Sequence, residues 1–222
     1  MAQAKIFPFK DSVKIGWEIV KKNFWFFLAA LIVLCVLSGL ESFIPKEAVK
    51  SYPPLGGLRF ILYVISLFFS LLLSLGLIKV ALAFIDGGRP DFKELFVCSD
   101  KVINFFLASL LYGLIVLGGT ILLIIPGIIW SLKFSLYKYF IVEKNAGPIE
   151  ALKMSAQATA GAKWNLFLFG FVLAGINILG FLCLFIGLFF TIPLSWIAMA
   201  YVYRQLLAQT SLTAPAATTP AA

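Results

Sequence analysis

Residues 102–142 read VINFFLASLLYGLIVLGGTILLIIPGIIWSLKFSLYKYFIV, 41 residues of almost unbroken apolar character. About 20 apolar residues cross the hydrocarbon core of a bilayer, so the run is too long for one span and suits two. Pro126-Gly127 lies near its middle. Proline removes an amide donor and glycine loosens the backbone, so the pair predicts a tight turn between antiparallel helices. The run 166–207 has the same build, with Gly187 and Pro193 as the predicted break.

Working outward gives six predicted spans: Phe24–Ile44, Phe60–Ile85, Val102–Ile125, Gly127–Val142, Leu166–Phe189 and Ile192–Leu207. Composition points the same way. Of 222 residues, 62% are hydrophobic and 13% charged, and the mean hydropathy is +1.02. A soluble domain is nearer half apolar and a quarter charged. A soluble enzyme, a disordered chain and a nucleic-acid-binding domain are all excluded on that ground. The first apolar run follows 23 residues and exceeds the length of a signal-peptide core, so it is read as a retained span. The expected fold class is all-α, a polytopic integral membrane protein with six transmembrane helices in three hairpins.

Charge sets the expected orientation. With the N-terminus inside, the inner segments hold twelve basic residues: Lys5, Lys10, Lys14, Lys21, Lys22, Arg89, Lys93, Lys101, Lys144, Lys153, Lys163 and Arg204. The outer loop 45–59 holds three, Lys46, Lys50 and Arg59, and the other two outer turns hold none. Lys79, Lys133 and Lys138 fall within spans, with Lys79 and Lys138 near inner ends where they can snorkel. The positive-inside bias places both termini in the cytoplasm and the chain in the cell's inner membrane.

Each hairpin is expected to be led by a cytoplasmic amphipathic segment. The first carries Phe9, Val13, Trp17, Val20 and Phe24 at helical spacing. The second begins at Pro90 with Phe92, Leu95, Phe96 and Ser99 on one side. The third begins at Pro148, groups Ile149, Leu152 and Ala156, and stops near Gly161. Such helices either lie among lipid headgroups or cap the bundle. The expected organisation is one membrane domain over 1–208, in units 6–85, 90–142 and 148–207, with a disordered low-complexity tail at 209–222.

The units carry a weak internal repeat. Lys22-Asn23-Phe24-Trp25, then Lys101 with Asn104-Phe105-Phe106, then Lys163-Trp164-Asn165 introduce spans one, three and five. Ile125-Pro126, Trp130 and Tyr137-Lys138 run parallel to Ile192-Pro193, Trp196 and Tyr203-Arg204, with seven residues from Trp to Tyr in both.

The segment Gly147-Pro-Ile-Glu-Ala-Leu-Lys-Met-Ser155, followed by Gly161-Ala-Lys-Trp164, resembles uncharacterised bacterial six-helix membrane proteins of the DUF975 and YciC type. Gly16-Trp17 with Lys22-Asn23-Phe24-Trp25, Pro90 with Phe92 and Leu95-Phe96, and Ile125-Pro126-Gly127-Ile128 extend the resemblance over roughly residues 10–207. That group looks related to the membrane domain found beside glycerophosphodiester phosphodiesterases, whose soluble catalytic barrel has no counterpart here. The resemblance implies an architecture and a loose connection with lipid, without catalytic residues.

Few residues offer chemistry. There is no histidine, and Cys35, Cys98 and Cys183 are scattered, so no metal, cofactor or histidine-based site is expected. Ser155 has no neighbouring base. Asp86-Gly87-Gly88-Arg89-Pro90-Asp91 reads as a turn. The candidate intramembrane polar site is Glu41, Lys133 and Asn177, because ionisable and amide groups in a span need partners. Glu41 and Lys133, at similar expected depth in the outer half, could pair. Asn177 suits an interhelical hydrogen bond, and glycines 113, 118, 119, 170, 175 and 180 suit close helix contact. No enzyme is expected. The expected role is a non-enzymatic accessory or scaffold acting on lipid organisation or a partner complex. The alternative is a small transporter or lipid-translocating protein with an intramembrane polar cavity. Membrane lipids, a membrane-protein partner or a second copy are the expected partners, with no nucleic acid.

Overall fold

The structure, a computed structural model, describes residues 5, 7–38, 52, 54–183 and 186–210. Among the described residues every regular element is helical. In chain order these are α1 (Phe9–Lys22), α2 (Phe24–Ser38), α3 (Pro54–Ile85), α4 (Val102–Leu122), α5 (Ile124–Phe134), α6 (Tyr137–Lys144), α7 (Pro148–Ala158), α8 (Lys163–Leu182) and α9 (Leu188–Ala208). Three stretches are long and apolar enough to cross a membrane: Leu55–Ile85, Phe92–Leu122 and Lys163–Leu182. The pair α1 and α2, bent by 88°, makes a fourth if it is one span.

The core lies where α3, α6 and α9 meet. Leu75, Phe140, Ile141, Ile197, Tyr203 and Leu206 are fully buried there, and Tyr139 stacks on Tyr203 with ring centroids 4.9 Å apart. The amphipathic pattern of the N-terminus forms α1, whose Ser12, Gly16 and Val20 face is buried against α9. A Cβ at Gly16 would come within 3.1 Å of the Leu194 carbonyl, so the two backbones are nearly in contact. Lys5, just before α1, joins distant parts of the chain. Its Nζ donates to Ala158 O at 3.1 Å and to Thr210 Oγ1 at 2.7 Å, and Asn165 Nδ2 donates to Lys5 O at 2.8 Å. Partial burial there lowers the Lys5 pKa.

Several boundaries differ from expectation. The turn of the 102–142 run falls at Leu123, in extended conformation (φ −165°, ψ 144°), and Pro126 sits in the first turn of α5. The first four amides of a helix have no intrahelical acceptor, so proline loses nothing there. In the 166–207 run α9 begins at Leu188 rather than Ile192, and Pro193 lies inside it. The expected fourth span is two helices, α5 and α6, interrupted at Ser135-Leu136. The segment after Pro90 forms two short 3-10 turns, Phe92–Phe96 and Ser99–Lys101, in place of an amphipathic α-helix. Leu95 anchors the first by packing on Gly76 of α3. Helix α3 begins at Pro54 and so includes Arg59, which was expected in a loop. Thr210, expected in the tail, is held by Lys5, and residues 211–222 lie outside the described residues.

The pairs α4–α5 and α8–α9 each meet on small residues. A Cβ on Gly119 would lie 3.1 Å from Gly127 Cα, and one on Gly187 would lie 2.6 Å from Gly180 Cα. Glycines 113, 118, 170 and 175, also expected at contacts, meet nothing within 4 Å.

Candidate functional site

Of the three predicted residues, Asn177 and Lys133 are described, and no hydrogen bond or ion pair joins them. Asn177, in α8, donates from Nδ2 to Leu173 O and to Ser195 Oγ of α9, both at 2.9 Å. Its buried Oδ1 has no partner among the described residues. Lys133 ends α5 on the other hairpin, with Nζ 5.1 Å from the Phe134 ring centroid. Its carbonyl accepts Ser155 Oγ at 3.1 Å and Thr159 Oγ1 at 2.9 Å. Its backbone therefore sits against α7. Glu41, and with it the Glu41–Lys133 pairing, lies outside the described residues.

Two other polar groupings are formed between helices. The first is a clasp over three elements. Arg204 of α9 bonds Asp86, just after α3, through Nε (3.0 Å) and Nη2, and bonds Glu143 of α6 through Nη1. Tyr203 donates its hydroxyl to the second oxygen of Glu143. The planar guanidinium can hold both carboxylates at once, which an ammonium could not match in geometry. Asp86 continues directly from α3, its amide donating to Leu82 O at 2.9 Å, and the chain then bends through Gly87, at φ +82°.

The second is a partly open cavity of about 260 Å³ between α2, α3, α4, α6 and α9. Ser74, Phe105, Tyr137, Lys138, Tyr139 and Trp196 are among its lining residues, and none of the described lining residues is acidic. Tyr137 is fixed by Ser109, with Oγ 2.8 Å from its hydroxyl, and by stacking on Tyr112. Lys138 Nζ lies 6.0 Å from the Tyr139 ring centroid and makes no hydrogen bond or ion pair among the described residues.

Lys138 and Arg204 hold matching places in the sequence repeat, after Tyr137 and Tyr203, and nothing in that repeat marks which of the two meets carboxylates. Among the described residues no group of three Asp, Glu or Cys could hold a metal. No family model, curated protein or solved structure matches the chain, so the resemblance to the six-helix group rests on the motifs quoted above.

Proposed function

We propose that this chain is a multi-pass protein of the cell's inner membrane, with six membrane-embedded helices in three hairpins and both termini cytoplasmic. It acts as a non-enzymatic accessory or scaffold on membrane lipid organisation or a partner complex. The observation that carries this reading is the apolar character of the hairpin tips. Ile121, Leu122, Leu123, Ile124 and Ile125 follow one another at 68–76% exposure. At the other tip Ile178, Leu179, Leu182 and Ile186 are comparably bare. Leaving such a side chain in water costs about 1.5–3 kcal/mol relative to burying it, so tips of this kind stay in hydrocarbon. Helices α4 and α8, with 21 and 20 residues, reach about 30 Å at 1.5 Å per residue. That is one hydrocarbon thickness. Two deep apolar hairpins beside the basic amphipathic α1 suit a protein whose work is on lipid or on a neighbouring membrane protein.

Full-length protein in mild detergent, examined by native mass spectrometry, should retain defined lipids, a second copy or another membrane protein. Vesicles carrying it should show no lipid scrambling or solute flux above protein-free vesicles. Saturable flux would overturn the accessory reading and select the second one, a small transporter or lipid-translocating protein. The internal cavity beside Lys138 is the observation that favours that alternative.

A further inference from the structure

We propose that the cavity between α2, α3, α4, α6 and α9 binds a small phosphate group, free or on a lipid head, with Lys138 as its counter-charge. This goes beyond the accessory reading and does not depend on it.

Lys138 is partly buried and lines the cavity, yet has no ion pair or hydrogen bond among the described residues. A charge partly withdrawn from water without a partner is unfavourable. Among the described residues, three carboxylates of neighbouring elements are engaged elsewhere. Asp86 and Glu143 are held by Arg204, and Glu94 lies 3.8 Å from Lys79. No acidic residue among the described ones lines the cavity.

The other lining groups share the same bias. Tyr139 and Trp196 bring a hydroxyl and an indole N–H, neither with a partner among the described residues. Ser74 already donates to Ser70 O at 2.8 Å, and Tyr137 is occupied with Ser109. The groups still available are thus an ammonium, an O–H and an N–H, all able to donate. Charge-assisted hydrogen bonds from such a set favour an oxyanion over a neutral or cationic guest. A volume of about 260 Å³ admits a phosphate group with accompanying water and leaves no room for the acyl chains of a lipid. A lipid ligand would therefore enter by its head alone.

The test uses the full chain. Melting is followed in dodecyl maltoside with chloride and with inorganic phosphate at equal ionic strength. It is also followed in phosphatidylcholine nanodiscs with and without phosphatidylglycerol. The wild-type protein should be stabilised by one of these additions, as any ligand that binds only the folded state stabilises it. Lys138→Met should lose that gain, with affinity down roughly tenfold or more, while Lys133→Met keeps it. Stabilisation by inorganic phosphate in detergent identifies a free anion, and stabilisation confined to phosphatidylglycerol nanodiscs identifies a headgroup. No stabilisation in either arm, or equal stabilisation of Lys138→Met, overturns the proposal. Without anion, Lys138→Met should melt at or above the wild type. A clear fall would reveal a protein counter-charge for Lys138 and overturn the proposal independently.

Discussion

In the return arm of the α4 hairpin, Ile125-Pro126 is followed by Trp130 and Tyr137-Lys138. In the return arm of the α8 hairpin, Ile192-Pro193 is followed by Trp196 and Tyr203-Arg204. The second arm runs unbroken through α9 and delivers its cation to two carboxylates. The first breaks at Ser135-Leu136, and its cation lines a cavity without a carboxylate. The cause of the break lies in another element. Ser155 accepts from the Leu136 amide at 3.1 Å, and Ser155 and Thr159 both donate to the Lys133 carbonyl. Hydroxyls of α7 thus occupy backbone groups at the interruption. Similar sequences diverge because one of them has a neighbour that satisfies a broken helix.

The largest effect should separate the two cations. Arg204→Met strands Glu143 and Asp86 and should cost about 2–4 kcal/mol in thermal unfolding. Breaking a fully buried pair costs about 3–5, and the half-exposed Asp86 lowers the figure. The matching Lys138→Met should cost nothing, and equal losses would erase the contrast. Next, Ser155→Ala with Thr159→Val leaves the Lys133 carbonyl and Leu136 amide without those partners, at about 1–3 kcal/mol for a stranded buried group. Hydrogen exchange at Leu136 should speed up, whereas unchanged protection would show that the arm breaks by itself.

A smaller effect, about 1–3 kcal/mol for overpacking, should follow Gly127→Val and Gly180→Val. Their Cβ atoms would press on Thr120 and Thr191 respectively. Gly113→Val, facing open space, should melt closer to wild type; a comparable loss would mean that helix propensity rather than contact sets the cost. The smallest is Asn177→Leu. It removes the α8–α9 bond to Ser195, and such bonds between membrane helices average about 0.6 kcal/mol. A drop several times larger in thermal unfolding would assign Asn177 more than that single bond.

The helical, membrane-compatible character was legible because hydropathy is a property of long windows, and the runs at 102–142 and 166–207 leave no other reading. A helix at α1 was legible from the spacing of its apolar residues, but its packed face was not: Ser12, Gly16 and Val20 are buried, while Trp17 of the expected face is exposed. Turn positions were read less well because Pro126 and Pro193 mark places where proline is tolerated rather than where the chain reverses. The interruption at 135–136 was illegible, since it depends on hydroxyls some 20 positions away. The clasp was hidden for the same reason: Asp86, Glu143 and Arg204 are brought together only by packing of α3, α6 and α9. Lys138 was visible as a charge, but no local pattern indicates which lysine in a span will lack a carboxylate.

The bridge from Lys5 to Thr210 joins positions 205 residues apart, and the face of α1 rests on α9, the last helix described. The helix synthesised first therefore lacks its main seat until the last one exists. At about 5–20 residues per second the wait is roughly 10–40 s. During it α1 must remain beside the membrane with Ser12, Gly16 and Val20 uncovered. Lys10, Lys14, Lys21 and Lys22, all exposed in the finished fold, give the waiting helix a natural hold on anionic headgroups. Assembly then finishes by a closing step that draws the N-terminal helix from the lipid surface onto the completed bundle. Chains interrupted before α9 would keep that helix at the surface, a nascent form distinguishable by the accessibility of its lysines.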